Sequence, residues 1–296
     1  MRNPLNLLKG VTQQLSHLTR WEQNGFPLAV LLSIGLSAGW TSAQAASPDT
    51  APPELKNTIS QIDAAANSRN VQGVIQYYSP NFTHSDGLNR QTLQSTLTQL
   101  WQRYPKLTYS TQLTSWESQG NAIVAETVTK ISGTQPQQGR DWTINSTIRS
   151  RQRFENQQIV SQEILSEQTQ LTSGDKPPTV DVTLPEQVRT GQEFSYDAIV
   201  REPLGDDLLL GAAIQEPVRA DKYHNANAIE LEGLNGGGIF KVARPTTPGK
   251  YWVSSVLIHP DGMTVITQRL PVVGTTTANP RPNNTTPATT PSRRRS

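Results

Sequence analysis

The sequence predicts an α+β protein, with three helices packed on one face of a curved antiparallel sheet, followed by an all-β sandwich. Three observations carry this. Apolar residues recur at helical spacing between residues 54 and 104. Residues 107–171 then become rich in β-branched and aromatic side chains, in long stretches with alternating polarity. Beyond residue 178, short apolar stretches separated by turn signals recur with no helical pattern.

The first 45 residues are read separately. Arg2, Lys9 and Arg20 precede FPLAVLLSIGLSAGW (26–40), an uncharged run shorter than the ~20 residues a spanning helix needs. Ala43-Gln44-Ala45 then places small residues where a signal peptidase reads. Residues 1–45 are therefore expected to be a signal peptide, and the chain to be exported to the periplasm, envelope or exterior. An uncleaved anchor is the other reading. SPDTAPPE (47–54) is polar and Pro-rich, so 46–53 is expected to be a disordered lead-in.

In the first helix, Ile59, Ile62 and Ala66 share one face. A second short helix holds Val71, Val74, Ile75 and Tyr78 and ends at Pro80. Asp86-Gly87 makes a turn, Asn89 caps the third helix, and Leu93, Leu97, Leu100, Trp101 and Tyr104 form its stripe up to Pro105. LTYSTQLTSWES (107–118) and NAIVAETVTKISG (121–133) follow as strands. In DWTINSTIRSRQRF (141–154), Trp142, Ile144 and Ile148 lie on one side and Arg149, Arg151 and Arg153 on the other, the pattern of a half-buried strand. QQIVSQEILSEQTQL (157–171) returns. The first domain thus spans 54–172, and SGDKPP (173–178) is a linker. Seven short strands in 179–274, with Phe194, Tyr196, Ala198 and Val200 facing inward, describe the sandwich. The Thr- and Pro-rich stretch 275–296 has no apolar anchors, and disorder is expected.

The formal net charge of +2 over 296 residues divides unevenly. Removing 1–45 takes away three basic residues and one acidic residue, and the tail carries four arginines and no acid. The folded body is left with 19 basic against 23 acidic residues. A nucleic-acid ligand is not expected. The tail arginines (Arg281, Arg293, Arg294, Arg295) could touch an anionic envelope surface or simply be solvated. There is no cysteine, which excludes disulfides, thiolate metal sites and a thiol nucleophile. There is no G-x-S-x-G, phosphate loop or HExxH. Asp206-Asp207 and Asp221 lack the ladder of a calcium loop, and His224 and His259 lack metal-ligand spacing. No cofactor or metal is expected.

NVQGVIQYYSPNFTHSDG (70–87) and RQRFENQQIVSQEILSEQ (151–168) carry a resemblance to the nuclear transport factor 2-like superfamily, shared with ketosteroid isomerases and SnoaL-like cyclases. It covers about residues 54–171. It implies a cone of helices and bent sheet that opens to hold a small molecule, and in some members a homodimer through the sheet. LPEQVRTGQEFSYDAIV and RPTTPGKYWVSSVLIHPDG likewise resemble immunoglobulin-like sandwiches of exported proteins.

The resemblance places Asp86 where the isomerases carry a general-base aspartate. A carboxylate at the rim of an apolar cone would have a raised pKa suited to moving a proton from carbon. The partners differ. The tyrosine position falls near Ile62 and the acid position near Arg149, which could still stabilise an anion. The plainer reading of Asp86 is the turn residue of Asp-Gly. His84 is either a base paired with Asp86 or a surface-turn histidine. Tyr78, Trp101 and Trp142 are expected in the core, in the set from which a cone lining would be drawn. Three functions follow: a non-catalytic protein binding a small apolar ligand or a protein partner, an isomerase- or cyclase-like enzyme using Asp86 and Arg149, or a structural envelope protein.

Overall fold

The computed structural model describes residues 45–137, 140–205, 207–223 and 227–274. The expected signal peptide up to residue 44, the expected disordered tail from 275, Asp206 and His224 lie outside them. Among the described residues there are three α-helices: α1 (Pro53–Asn67), α2 (Val71–Ile75) and α3 (Arg90–Arg103). Pro53 opens α1, where a missing N–H costs nothing. Asn70 caps α2 by accepting from the Gly73 N–H at 2.8 Å. Asn89 caps α3 in a reciprocal pair with Thr92.

Tyr78 does not extend the second helix. Arg69, at φ 57°, breaks the chain after α1, α2 lasts five residues, and Tyr78–His84 forms strand β1. This strand pairs in parallel with a strand some 80 residues later, so Tyr78 lies opposite Ile159. The parallel partner supplies hydrogen bonds that a local helix around Pro80 could not.

Four long strands follow: β2 (Leu107–Gln119), β3 (Ala122–Gln137), β4 (Arg140–Glu155) and β5 (Gln158–Gly174), antiparallel neighbours in chain order. The β4–β5 hairpin turns at Asn156 and Gln157, both at positive φ (48° and 63°), as a tight hairpin that follows the sheet twist requires. Register shifts at Leu113/Ser115, Arg149/Ser150 and Arg153/Phe154 are bulges that bend these strands.

The remaining strands are β6 (Val180–Thr183), β7 (Val188–Arg189), β8 (Phe194–Val200), β9 (Leu210–Pro217), β10 (Glu232–Gly233), β11 (Gly238–Ala243), β12 (Gly249–His259) and β13 (Gly262–Val273). β11, β8 and β6 make a separate three-stranded sheet. Phe194, Tyr196, Ala198 and Val200 of β8 are buried with Val253, Leu257, Leu270 and Val272 of β12 and β13, so this sheet stacks on the larger one. The Tyr196 hydroxyl bonds the Ser255 hydroxyl across the layer at 2.7 Å.

The expected linker at 173–178 is replaced by something firmer. β5 runs through Ser173 to Gly174 and pairs with β13 from Gly174↔Gly262 to Gln168↔Gln268. The larger sheet therefore runs β10-β9-β12-β13-β5-β4-β3-β2 without interruption. The crossing is tight: a Cβ on Gly174 would meet the Asp261 carbonyl oxygen at 2.4 Å, and one on Gly262 would meet Pro177 at 2.7 Å. The next residues are pinned too, with the Lys176 N–H donating to the Asp261 carbonyl and the Thr264 hydroxyl to the Pro178 carbonyl. Seven backbone pairings hold the two units, and two of them, Ser173↔Met263 and the close Gly174↔Gly262 contact, fall where the composition suggested a loose connection.

Candidate functional site

The residues around Asp86 come from both units. β1 ends at His84, and the chain turns with the Gly87 N–H donating to the His84 carbonyl at 3.0 Å. Asp86 is thus the turn residue, but its side chain is directed inward and is 1% exposed. Arg269 of β13 grips it with two bonds, Nη1 to Oδ1 and Nη2 to Oδ2, both 2.9 Å. The Tyr223 hydroxyl donates to Oδ2 at 2.6 Å and the Ser85 hydroxyl to Oδ1 at 2.9 Å. Arg269 also donates from Nη2 to Glu167 Oε2 at 2.8 Å, and the Trp252 indole N–H donates to the same oxygen at 3.0 Å.

Local structure explains how these side chains meet. Arg269 lies opposite Trp252 in the β12–β13 ladder, with its guanidinium 5.7 Å from the indole centre, within cation–π reach. Tyr223 ends a one-turn 3-10 helix, Ala220–Tyr223, and its ring meets Trp252 edge-on at 5.1 Å. Leu88, Tyr223 and Trp252 form a small buried cluster that joins the turn after β1 to the second unit.

The electrostatics follow from this packing. Burial alone would raise the Asp86 pKa; the Arg269 charge and the bonds from Arg269 and Tyr223 outweigh it and hold the carboxyl well below its usual range. Glu167 behaves alike: burial pushes it up, and Arg269 and Trp252 bring it below its ordinary value. Burial pushes Arg269 down, but the Glu167 and Asp86 charges win and keep it cationic. Burial, then the two carboxylates, push the Tyr223 hydroxyl well up. His84 is lowered to about 4, by burial first, with Asp86 pulling the other way and Arg269 and Lys250 adding to the fall. The cluster thus holds two carboxylates, one guanidinium and a neutral histidine.

The expected raised-pKa base at a rim is therefore corrected: Asp86 is a buried, strongly acidic carboxylate whose lone pairs are engaged by three partners. His84 is not a surface histidine. Its side chain is 5% exposed, its Nδ1 accepts from the Asp86 N–H at 3.1 Å, and its distance to the carboxylate, 3.8 Å, is beyond a hydrogen bond.

Beside this cluster lies a cavity of about 180 Å³ between the three helices and the bent sheet. His84, Glu167, Tyr223 and Arg269 line it, with Tyr78, Trp101 and Tyr109 and an aliphatic wall that includes Ile59, Ile62, Leu97 and Ile148. The Trp101 indole N–H donates to the Tyr109 hydroxyl at 2.7 Å. Burial raises the Tyr78 and Tyr109 hydroxyls to about 12, so both stay neutral. Asp63 reaches the same lining but is engaged by the Thr111 N–H and hydroxyl at 2.6 and 2.7 Å. Trp142 is buried in the core and is absent from the lining; it sits toward the far end of β4, opposite Ser173.

Arg149 lies on the other face of the sheet. Its side chain is 53% exposed and donates to Glu126, which Arg151 also grips. Alternation along β4 dictates this, since Ile148 lines the cavity and its neighbour must point away. Arg149 and Asp86 are not brought together. Replacing Arg149 by alanine is expected to change folding stability by less than about 1 kcal/mol, because the pair is exposed, and to leave the cavity unchanged; urea denaturation checks this.

His259 pairs with Asp207 at 3.2 Å, a contact that sequence spacing hid. Among the described residues no group of three or more His, Asp or Glu is placed to hold a metal ion, and no helix is long and apolar enough to cross a membrane. Sequence reasoning missed Glu167, Tyr223, Trp252 and Arg269. One signal was present: Arg269 is the single charged residue in MTVITQRLPVV (263–273), and a charge in such a strand needs a buried acid.

A family model described as a domain of unknown function (DUF8623) matches residues 175–273. No curated protein matches the chain. Solved structures similar to part of it include Bd1075 of Bdellovibrio bacteriovorus, at 13% identity and TM-score 0.28, covering 38% of this chain and 40% of that one. An NTF2-like protein of unknown function from Cytophaga hutchinsonii is 13% identical with TM-score 0.24, covering 39% and 91%. An LEH-like epoxide hydrolase of M. tuberculosis is 9% identical with TM-score 0.28, covering 38% and 80%. The chain thus spans less than half the length of the Bdellovibrio protein.

Proposed function

We propose that this chain is an exported, non-catalytic binding protein. Its first unit is read as a cone-shaped, nuclear transport factor 2-like domain that encloses a small apolar ligand, and its second as an immunoglobulin-like sandwich that supplies part of the site. The observation carrying this reading is the bidentate Asp86–Arg269 pair beside a cavity with a large aliphatic and aromatic wall. A carboxylate neutralised by a guanidinium and two hydroxyls is a weak base, whereas proton abstraction from carbon needs one with a pKa near the working pH. Without a base the cavity still offers apolar walls to a small molecule. Export rests on the basic start, the uncharged run 26–40 and Ala43-Gln44-Ala45.

Toluene is a suitable probe. It is expected to bind the purified chain and to change the fluorescence of Trp101, which lines the cavity. Leu97→Phe, which fills the same space, should abolish the response while leaving the circular dichroism intact. Absence of any response in the unaltered chain would overturn the ligand-site reading. An isomerisation or proton exchange abolished by Asp86→Asn would overturn its non-catalytic part.

A further inference from the structure

We infer that the chain is cut between Ala45 and Ala46, and that the amino group released there is built into the fold at the open edge of β2. This deepens the proposed function and rests on its export reading. Water adds across the peptide bond. The Ala45 carbonyl leaves as the carboxylate of the released segment, and the Ala46 nitrogen becomes an ammonium.

Two independent observations meet at this bond. The first is in the sequence: Ala43 and Ala45 are small residues at the positions that a signal peptidase reads, after the uncharged run 26–40. The second is in the fold. Residues 46–53, expected to be a disordered lead-in, are attached to the sheet instead. Ala46 pairs antiparallel with Trp116 of β2. Its N–H donates to the Trp116 carbonyl at 2.8 Å, and its carbonyl accepts from the Trp116 N–H at 3.3 Å. The Trp116 indole N–H donates to the Ser47 carbonyl and the Thr50 hydroxyl, both at 3.2 Å. Pro48–Thr50 makes one 3-10 turn, and Ala51, 6% exposed, joins the core of the first unit. Among the described residues, the first one paired into the sheet is thus the first that cleavage would leave.

The position also suits the new charge. Ala45 is exposed and lines an open groove of about 640 Å³ with Glu117, Gln119 and Arg153. Glu117 makes no ion pair among the described residues, and its carboxylate accepts from the Gln119 amide. An ammonium at Ala46 would open on this groove and avoid the cost of a buried charge. It would keep the bond to the Trp116 carbonyl and strengthen it by its charge.

The edge of β2 explains what the end is for. β2 is the last strand of the larger sheet, and an open edge recruits other strands. Side chains of α1 close part of it. Asn67 donates to the Tyr109 carbonyl at 2.9 Å and accepts from the Tyr109 N–H at 2.7 Å, and Asp63 accepts from the Thr111 N–H. Past the bulge at Leu113/Ser115, Ala46 does for Trp116 what Asn67 does for Tyr109.

The test begins with the full chain expressed in a Gram-negative bacterium, the product in each cell fraction being identified by intact mass and N-terminal sequencing. A periplasmic or envelope product that begins at Ala46 is expected. An exported product that keeps residues 1–45, or begins at any other residue, would overturn this inference and leave export standing. An uncut product that stays in the cytoplasm would overturn both. Hydrogen exchange on the processed product, against a chain that begins at Ser47, then tests whether the end is built in. Without Ala46 the Trp116 amide is expected to exchange about tenfold faster or more. The Tyr109 and Thr111 amides, bonded to Asn67 and Asp63, should keep their rates. Equal exchange of the Trp116 amide in the two chains would overturn the structural role of the released end.

Discussion

Replacing Arg269 by methionine is expected to lower folding stability by about 3–5 kcal/mol, the range for breaking a buried ion pair from one side. Methionine fills much of the space but provides no donor. Asp86 and Glu167 are then left as two carboxylates, each about 5% exposed or less, with only Tyr223, Ser85 and Trp252 to meet them. The midpoint and slope of urea denaturation at pH 7 measure this. The control is the triple variant Asp86→Asn, Glu167→Gln, Arg269→Met, which removes all three charges. It should recover most of the loss, since neutral replacements for a buried ionic group are often tolerated. A loss below about 1 kcal/mol in the single variant would mean that the three charges do not hold the units together.

Acidification should act through the same cluster, in two stages. His84 has a folded pKa near 4 against about 6.5 in an unfolded chain. Its neutral form fits the fold, so its contribution is full above pH 6.5. As pH falls below that value the unfolded state takes up the proton first, and stability declines until about pH 4. A shift of this size corresponds to about 3 kcal/mol. Asp86 and Glu167 are held below their ordinary values. Their contribution is present above about pH 4 and is lost as the pH falls further. His84→Asn, whose side-chain oxygen can accept from the Asp86 N–H as Nδ1 does, should flatten the first stage and leave the second. Denaturation midpoints at intervals between pH 7 and pH 3, for both chains, check the prediction. An unaltered slope between pH 6.5 and 4 in His84→Asn would show that His84 is not the group responsible.

What could be read from sequence here divides by the distance over which the physics acts. The three helices, the four long strands and most of the later short ones were legible, because periodicity and turn residues are local. The inward set of β8 and the cap at Asn89 came the same way. β1 was not, because YSPNFTH has neither strict alternation nor an apolar run and is a strand only by virtue of β5. The expected linker failed for a related reason: SGDKPP has loop composition, yet Ser173 and Gly174 are completed by Met263 and Gly262. At the site, Tyr78, His84 and Trp101 were named and do line the cavity, while Trp142 and Arg149 do not. The partner of Asp86 was out of reach, lying 183 residues away. Alternation along β4 already put Arg149 on the face opposite Ile148, and that local rule was the better guide.

The uninterrupted sheet has a consequence for modularity. The chain reads as two domains, and cutting after Gly174 would seem to follow the boundary. Such a cut would leave β5 of the first fragment with seven paired residues bare along one side, an open edge of the kind that recruits other strands. It would also leave Asp86 and Glu167 without their cation, and the cavity without Tyr223 and Arg269. The second fragment would keep an arginine with neither of its acids. The two halves are separable in composition but not in physics: the smallest piece of this protein that can hold its own interior together includes both.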